Sequence, residues 1–489
     1  MPLGYVMILL SFCFCLLLFL LIGIYSATRS RGTAADYYLA SSSVSPWMVG
    51  LSAVATNNSG YMFIGVIGYT YTTGLASVWL MVGWILGDLL ASLWVHRHLR
   101  LATAATGELS FSGVISAWTG QRQPYVRVLG AVFSIVFLGA YAAAQFSAGG
   151  KALHALFGWN LHSGAMLVAV VVAIYCIAGG IRASIWTDVA QSAVMLAAMA
   201  LLMVTAINGL GGIAASLSRL QQIPGQMDWF PRDLLLPGIG GMMLFVIGWL
   251  FAGLSVAGQP HIMIRFMALD KPAHLTNARW WYYSFFVMFY VMATVVGLLS
   301  RVYLPELVSL DPELALPTMA QSLLPPVLVG FMLAGIFAAT MSTADSLVLS
   351  CSACLTNDLL PSLGNKRYLT KAATLLVTAM ALAIAVTGPE SVFQLVLMAW
   401  SILGAVFVPV LLVLAIGEKP TQSITMITML TGATVSLLWR YMGLHDYVFE
   451  GMPGMLAALI VFTSHRCWVR SAHRATRARE PNLSQETQD

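Results

Sequence analysis

Charge is what this sequence is short of. Only 9% of its 489 residues are Asp, Glu, Lys or Arg, against roughly 25% in an ordinary soluble domain. A chain of this size in water needs far more charge to cover its surface, so a soluble globular protein is excluded. Cysteine is scarce as well. The six present (Cys13, Cys15, Cys176, Cys351, Cys354, Cys467) fall mostly inside apolar stretches, which argues against a disulfide framework or a zinc site. Polar–apolar alternation is missing, which removes a β-barrel. There is no HExxH, no paired His ligands and no GxGD, so an intramembrane enzyme would lack its reacting groups.

What is present is apolar sequence, 59% of the chain. It comes in repeated runs of about 20 residues, each long enough to cross a hydrocarbon layer roughly 30 Å thick. The expected fold is an all-α polytopic membrane protein. Residues 4–27 are too long for a signal peptide, and Arg29 and Arg31 follow rather than precede them, so they read as a first span. Hydropathy and turn signals predict about thirteen spans, near 4–27, 46–73, 77–96, 127–155, 162–182, 186–211, 238–263, 276–302, 325–355, 369–388, 391–416, 421–441 and 447–465. Sorted by alternate loops, 19 Lys and Arg residues fall on one side and 5 on the other. The richer side, which includes Arg127, Arg182, Arg265, Lys366 and the basic tail from Arg466, is then cytoplasmic. The N-terminus is expected outside and the C-terminus inside. The basic residues follow topology, so the net charge of +5 does not point to nucleic acid.

Two expected spans carry residues that a plain span avoids. The second contains Thr56, Asn57, Asn58, Ser59 and Gly60 in a row, and Asn, Ser and Gly are poor helix-interior residues. The seventh contains Gly253, Gly258, Gln259 and Pro260. Small residues alone can mean close helix packing. Two interrupted helices five spans apart instead point to the binding site of an inverted-repeat transporter, because unwound backbone at membrane depth must line a cavity or lie buried in protein.

The ninth span holds GIFAATMSTADS, residues 335 to 346. A hydroxyl bonded back to the preceding turn explains Thr340. It does not explain Asp345, since a carboxylate within a membrane is costly. Ser342, Asp345 and Ser346 share one helix face, one turn beyond Ala339. A hard monovalent cation takes oxygen ligands. The Ala339 carbonyl with the Ser342 and Thr343 hydroxyls would offer three, and a broken helix opposite could add the carbonyls of Ala55 and Asn58.

AATMST (338–343), GGIRASIWTDVAQ (179–191), GQPHIMIRFMA (258–268), LSAVATNNSG (51–60) and STADSLVLSCSACLTNDL (342–359) together resemble the sodium:solute symporter family over nearly the whole chain. The sodium/proline branch is nearest. The pantothenate branch is second, through RVYLPEL and LPPVLVGFMLAGIFAATMST. The resemblance implies a core of two inverted five-helix repeats, 42–212 (spans 2–6) and 213–416 (spans 7–11). An accessory first span and loop (1–41), accessory spans at 417–465 and a cytoplasmic tail (466–489) flank it. It also implies sodium as coupling ion, held by Ala55, Asn58, Ala339, Ser342 and Thr343. The implied activity is sodium-coupled import of a small organic solute, most simply an amino acid such as proline. A monocarboxylate such as pantothenate is the alternative, and a transporter-like nutrient sensor is an alternative of another class. The proline branch has an Asp where this chain has Asn57, whereas sugar-transporting relatives have Asn.

Asp188 reads either as a helix N-cap or, as in some relatives, as part of a second cation or proton site. That site would here include Asp345 and Ser346, and Asp345 reads equally as a solvated vestibule residue. Solute-site candidates are Asn57, Ser59, Tyr61, Tyr141, Gln145, Trp249, Ser255, Gln259 and Pro260. Tyr141 and Pro260 align with solute-site residues of the proline branch, but the Trp expected eight residues before Pro260 is Ala252 and a Tyr is replaced by Val256. Asp88 reads as polar glue between helices. The expected partners are a small-molecule solute, sodium and the lipid bilayer of a cell membrane, bacterial inner membrane by preference. The chain is expected to work as a monomer.

Overall fold

The computed structural model describes residues 3–29, 33–364, 367–388 and 391–479. Arg31, Lys366 and the tail beyond residue 479 lie outside the described residues. Helices run along every expected span, and the described residues form no strand, only one isolated bridge between Val44 and Leu269. Nine stretches among the described residues are long and apolar enough to cross a bilayer by length and composition.

The first helix, α1, is Leu3–Ala27. The second expected span is cut into α2 (Pro46–Asn57), α3 (Ser59–Phe63) and α4 (Gly65–Thr73). Then come α5 (Val78–Thr106), α6 (Pro124–Phe157) and α7 (Leu161–Gly209). The seventh expected span is α8 (Gly238–Leu254), a 3₁₀ turn (Ser255–Gly258) and α9 (Pro260–Met267). It is followed by α10 (Leu275–Tyr303), α11 (Pro326–Ala353), α12 (Arg367–Thr387), α13 (Val392–Ala415), α14 (Gln422–Tyr441) and α15 (Gly451–Arg479). Burial separates core from rim. The apolar window of α11 is 83% buried and that of α1 only 28%, so α11 is wrapped by protein while α1 presents a face outward.

The fifth and sixth expected spans differ from the reading of them as two helices with a loop between. They run as one element, α7, with a sharp break at Gly180. Gly180 sits at φ 60°, ψ −156°, a region open essentially to glycine alone. A Cβ there would also lie 2.6 Å from the Tyr37 carbonyl oxygen. Asp188 therefore lies eight residues inside a helix and caps nothing. Arg265, placed above among the cytoplasmic loop charges, is fully buried.

Candidate cation and solute sites

Both predicted interruptions are real, and each has a local cause. The first is a bend at Asn58, whose N–H still reaches the Val54 carbonyl, with a second irregular residue at Ile64. The second falls at Gln259, which is extended (φ −96°, ψ 102°) before Pro260 at the first position of α9. Proline disfavours helical geometry in the residue before it and is at home at a helix start. Gly60 lets the first break touch its neighbours: a Cβ there would stand 2.5 Å from the Thr340 methyl and 3.0 Å from the Gln145 Oε1.

The break in the second span lies directly against α11. Ser342 Oγ is 3.2 Å from the Ala55 carbonyl oxygen and 3.1 Å from that of Ala339. Thr343 Oγ1 donates to the Thr56 carbonyl at 2.8 Å. Three of the expected oxygens, from Ala55, Ala339 and Ser342, thus meet at one place, and Thr343 lies one residue along. No hydrogen bond among the described residues joins Asn58 to Ser342 or Thr343, and both atoms of its buried amide lack a partner. Neutral oxygens grouped about 3 Å apart are the donor set a hard cation takes. Thr340, by contrast, bonds back to Phe337, the ordinary behaviour of a hydroxyl in a membrane helix.

Beside this lies a set of aromatic rings with unpaired polar edges. Tyr141 meets His261 edge-on at 5.3 Å, and Trp400 at 6.4 Å. Trp400 packs on Trp84 at 4.8 Å, and Trp84 on Tyr61 at 5.8 Å. The Tyr61 and Tyr141 hydroxyls, both His261 ring nitrogens, Trp400 Nε1, Gln145 Nε2 and Gln259 Oε1 are buried without a hydrogen-bond partner. Buried polar groups are almost always paired, so these groups are candidates to meet a polar ligand or water. The Gln145 Oε1 receives the Gly60 N–H at 2.8 Å, fixing the bend to α6. Ser59 accepts from the Tyr61 N–H. Asn57 donates its amide to the Tyr282 hydroxyl.

Two of the solute-site candidates, Ser255 and Trp249, are engaged elsewhere, and Gln259 is in part. Ser255 bonds back to Phe251, and the Gln259 amide nitrogen braces the Ser255 and Trp400 carbonyls. Trp249 packs on Tyr69 and Phe245, away from Tyr141 and toward the end of the molecule that carries the α14–α15 loop. His261, Trp400, Trp84 and Tyr282 were not among the sequence candidates. His261 adjoins Pro260 and was within reach, whereas only the tertiary fold brings in the other three.

One helical turn beyond Ser342 the chain builds an ionic cluster. Arg265 donates to Asp188 Oδ2 (3.1 Å), Ser52 Oγ (3.0 Å), Ser184 Oγ (3.0 Å), the His261 carbonyl (2.6 Å) and Ser346 Oγ. Ser52 also donates to Asp188 at 2.6 Å. Asp345 accepts from Ser184 at 3.1 Å and from Ser346 at 2.8 Å. Asp188, Asp345 and Ser346 thus share one cluster, with a guanidinium that the sequence reading did not place there. Asp188 Oδ1 and Asp345 Oδ2 remain unpartnered. With both carboxylates ionised, this buried cluster would be one positive charge short of neutral. Asp88 is also buried and faces Tyr282, Tyr283 and Arg279, with neither oxygen in hydrogen-bond geometry.

The ring layer continues to one end of the molecule. Phe393 stacks on Tyr61 at 5.4 Å and on Tyr69 at 4.8 Å. Its backbone N–H, and that of Val392, donate to Glu313, which also receives Lys151 at 2.7 Å. A single carboxylate therefore caps α13 and ties the loop before α11 to α6. At the opposite end Arg127 bridges Glu108 (2.8 Å) and Asp358 (2.7 Å), and Arg182 bridges to Asp36 (2.6 Å).

Residues 37–432 match the model of the sodium:solute symporter family. The chain is 29% identical to the high-affinity proline transporter PutP of Bacillus subtilis, over 90% of this chain and 94% of that protein. It is 30% identical to sodium/proline symporter 2 of Staphylococcus saprophyticus, over 93% and 91%. Among solved structures it is similar to the substrate-bound, outward-open state of a Na⁺-coupled sialic acid symporter, with a TM-score of 0.77 at 19% identity, covering 93% of this chain and 96% of that one. Mhp1, a nucleobase-cation-symport-1 family transporter, matches with a TM-score of 0.57 at 16% identity, over 90% and 96%.

Proposed function

From the premise that this chain belongs to the sodium:solute symporter family, and so couples sodium to the movement of a solute and is a transporter rather than an enzyme, we propose that it imports a small amino or imino acid, L-proline first. The observation that carries this reading is the contact of Ser342 Oγ with the Ala55 and Ala339 carbonyls beside a buried set of unpaired polar groups. The two named relatives are proline transporters, which supports proline over a carboxylate or a sugar. The rings of Tyr61, Trp84, Tyr141 and Trp400 suit a compact apolar body, and the unpaired hydroxyl, imidazole and amide groups suit a charged carboxylate and amine.

In this reading sodium is a co-substrate held by Ala55, Ala339, Ser342 and Thr343, with Asn58 at the bend completing the set. Ser342 and Thr343 stand on the buried helix, and Ala55 on the bent one. An ion between them therefore stabilises their approach and with it the Gly60–Gln145 contact that shapes the solute side. Solute and ion then favour the same arrangement, which is thermodynamic coupling. One charge moving down about 100 mV supplies about 2.3 kcal/mol, and a tenfold sodium gradient adds about 1.4 kcal/mol. Together these sustain roughly 500-fold accumulation per sodium. Asp188, Asp345 and Ser346 take a second sodium or a proton, which would bring the Arg265 cluster to neutrality.

The repeats are 42–212 and 213–416, in line with interruptions five spans apart. The N-terminus is outside and the C-terminus cytoplasmic. Lys151 pairs with Glu313 and Arg301 with Tyr71 at one end, and Arg127 with Asp358 and Arg182 with Asp36 at the other; the choice of the second end as cytoplasmic rests on the excess of Lys and Arg assigned there. The chain works as a monomer in this reading. The test is uptake of radiolabelled L-proline by proteoliposomes. Uptake should require sodium and fail with potassium; equal rates in the two salts would overturn the reading.

A further inference from the structure

A cavity of about 270 Å³ opens at the end of the molecule assigned to the outside, between α8, the start of α13 and the loop joining α14 to α15. Its volume equals roughly nine waters at about 30 Å³ each, below the ~300 Å³ at which drug-sized pockets begin. That is room for a small metabolite. Phe245 and Trp249 supply the apolar part of its lining, and Arg440, Glu450 and Asp446 the charged part. Glu450 is buried, and accepts from Arg440 Nη1 at 2.9 Å and Ser401 Oγ at 3.1 Å. That bond uses one of the five N–H groups of the guanidinium. Arg440 makes no other side-chain hydrogen bond among the described residues. The floor is the stacked pair Tyr69 and Phe393, and beneath Phe393 lies Tyr61 of the central ring set.

We propose that this cavity is an outer holding site for a small zwitterion, with the solute carboxylate on Arg440, its amine toward Glu450 and its apolar body on Phe245 and Trp249. It rests on the reading that the solute is an amino or imino acid. A fixed guanidinium with free N–H groups is the group best shaped to take a carboxylate, and the adjoining carboxylate selects against a plain anion. The ring of Phe393 stacks on Tyr69 within the cavity and on Tyr61 of the central set, so the held solute waits next to the central site. No ion ligand described above borders the cavity, so holding is independent of sodium.

The experiment places a cysteine in the cavity wall (Gln394→Cys) of the full chain in proteoliposomes. Alkylation of residue 394 by a membrane-impermeant thiol reagent is then read by mass spectrometry, with L-proline as probe in potassium medium. Proline should slow alkylation without sodium. Adding Arg440→Gln should weaken that protection about tenfold, and Arg440→Lys should restore much of it, which a mere folding defect would not. The Arg440→Gln protein should show a raised KM for uptake from the outer face and an unchanged KM from the cytoplasmic face. Absent protection with sodium-driven proline uptake intact, or a KM raised equally from both faces, overturns the holding site alone. Absence of both protection and uptake overturns the substrate reading and the site with it.

Discussion

Replacing Ser342 with Ala deletes one oxygen from the point where α2 and α11 meet and changes little else, because the side chain is fully buried and only two carbonyls touch its hydroxyl. A hydrogen bond or equivalent polar contact to a charged group is worth about 1.5–3 kcal/mol. The sodium concentration for half-maximal uptake should therefore rise roughly ten- to 150-fold. Solute affinity measured at low sodium should fall with it, since linkage makes coupling reciprocal, and should recover when sodium is raised in proportion. Thr340 supplies the control two residues away. Its hydroxyl bonds only to Phe337 of its own helix, so Thr340→Val should leave the sodium dependence within about twofold, the effect of a few tenths of a kcal/mol. The assay is initial-rate proline uptake against external sodium at fixed membrane potential. An unchanged half-saturating concentration in Ser342→Ala, or an equal shift in Thr340→Val, would refute the proposed ion contact.

Other outcomes follow from the same geometry. Arg265→Gln leaves Asp188 buried and unpaired, which should destabilise the protein by about 3–5 kcal/mol. Detergent melting curves should show the loss, and adding Asp188→Asn should recover part of it. Asp345→Asn should lower the ion-to-solute ratio of uptake by one, and an unchanged ratio would remove the second ion from the scheme. Tyr141→Phe deletes a buried hydroxyl without a partner, so solute KM should rise while thermal stability holds or improves; a matching loss of stability would mark the hydroxyl as structural. Gly180→Ala forces a Cβ against Tyr37 at a backbone angle that alanine avoids. The variant should be made in the membrane but transport poorly, as immunoblot and uptake together would read.

Much of the architecture was legible because a bilayer leaves a sequence little freedom. Runs of apolar residues had to be spans, and polar residues inside them needed a reason. The bends at Asn58 and Gln259 were announced by local composition, and the hydroxyl of Ser342 by its presence in an apolar helix. Arg265 was not legible, because a basic residue near the end of a span reads as a topological charge until its partners, 77 and 81 residues away in the chain, are known. Gly180 read as part of the fifth span and the turn was expected after residue 182, since local pattern alone does not place a sharp kink. Trp400 and Trp84 carry ordinary packing signals, and only the tertiary fold turns their rings toward Tyr141 and Tyr61.

The carboxylate of Glu313 grips Lys151 with one oxygen and shares the backbone of residues 392 and 393 between both. The ring above Tyr61 is thus carried by the same short segment that this acid pins down. Swinging that ring aside means unfastening a loop lying outside the solute pocket. A change at position 313, such as Glu313→Gln, should therefore alter the maximal rate of uptake more than the central-site affinity, as initial rates against solute concentration would read.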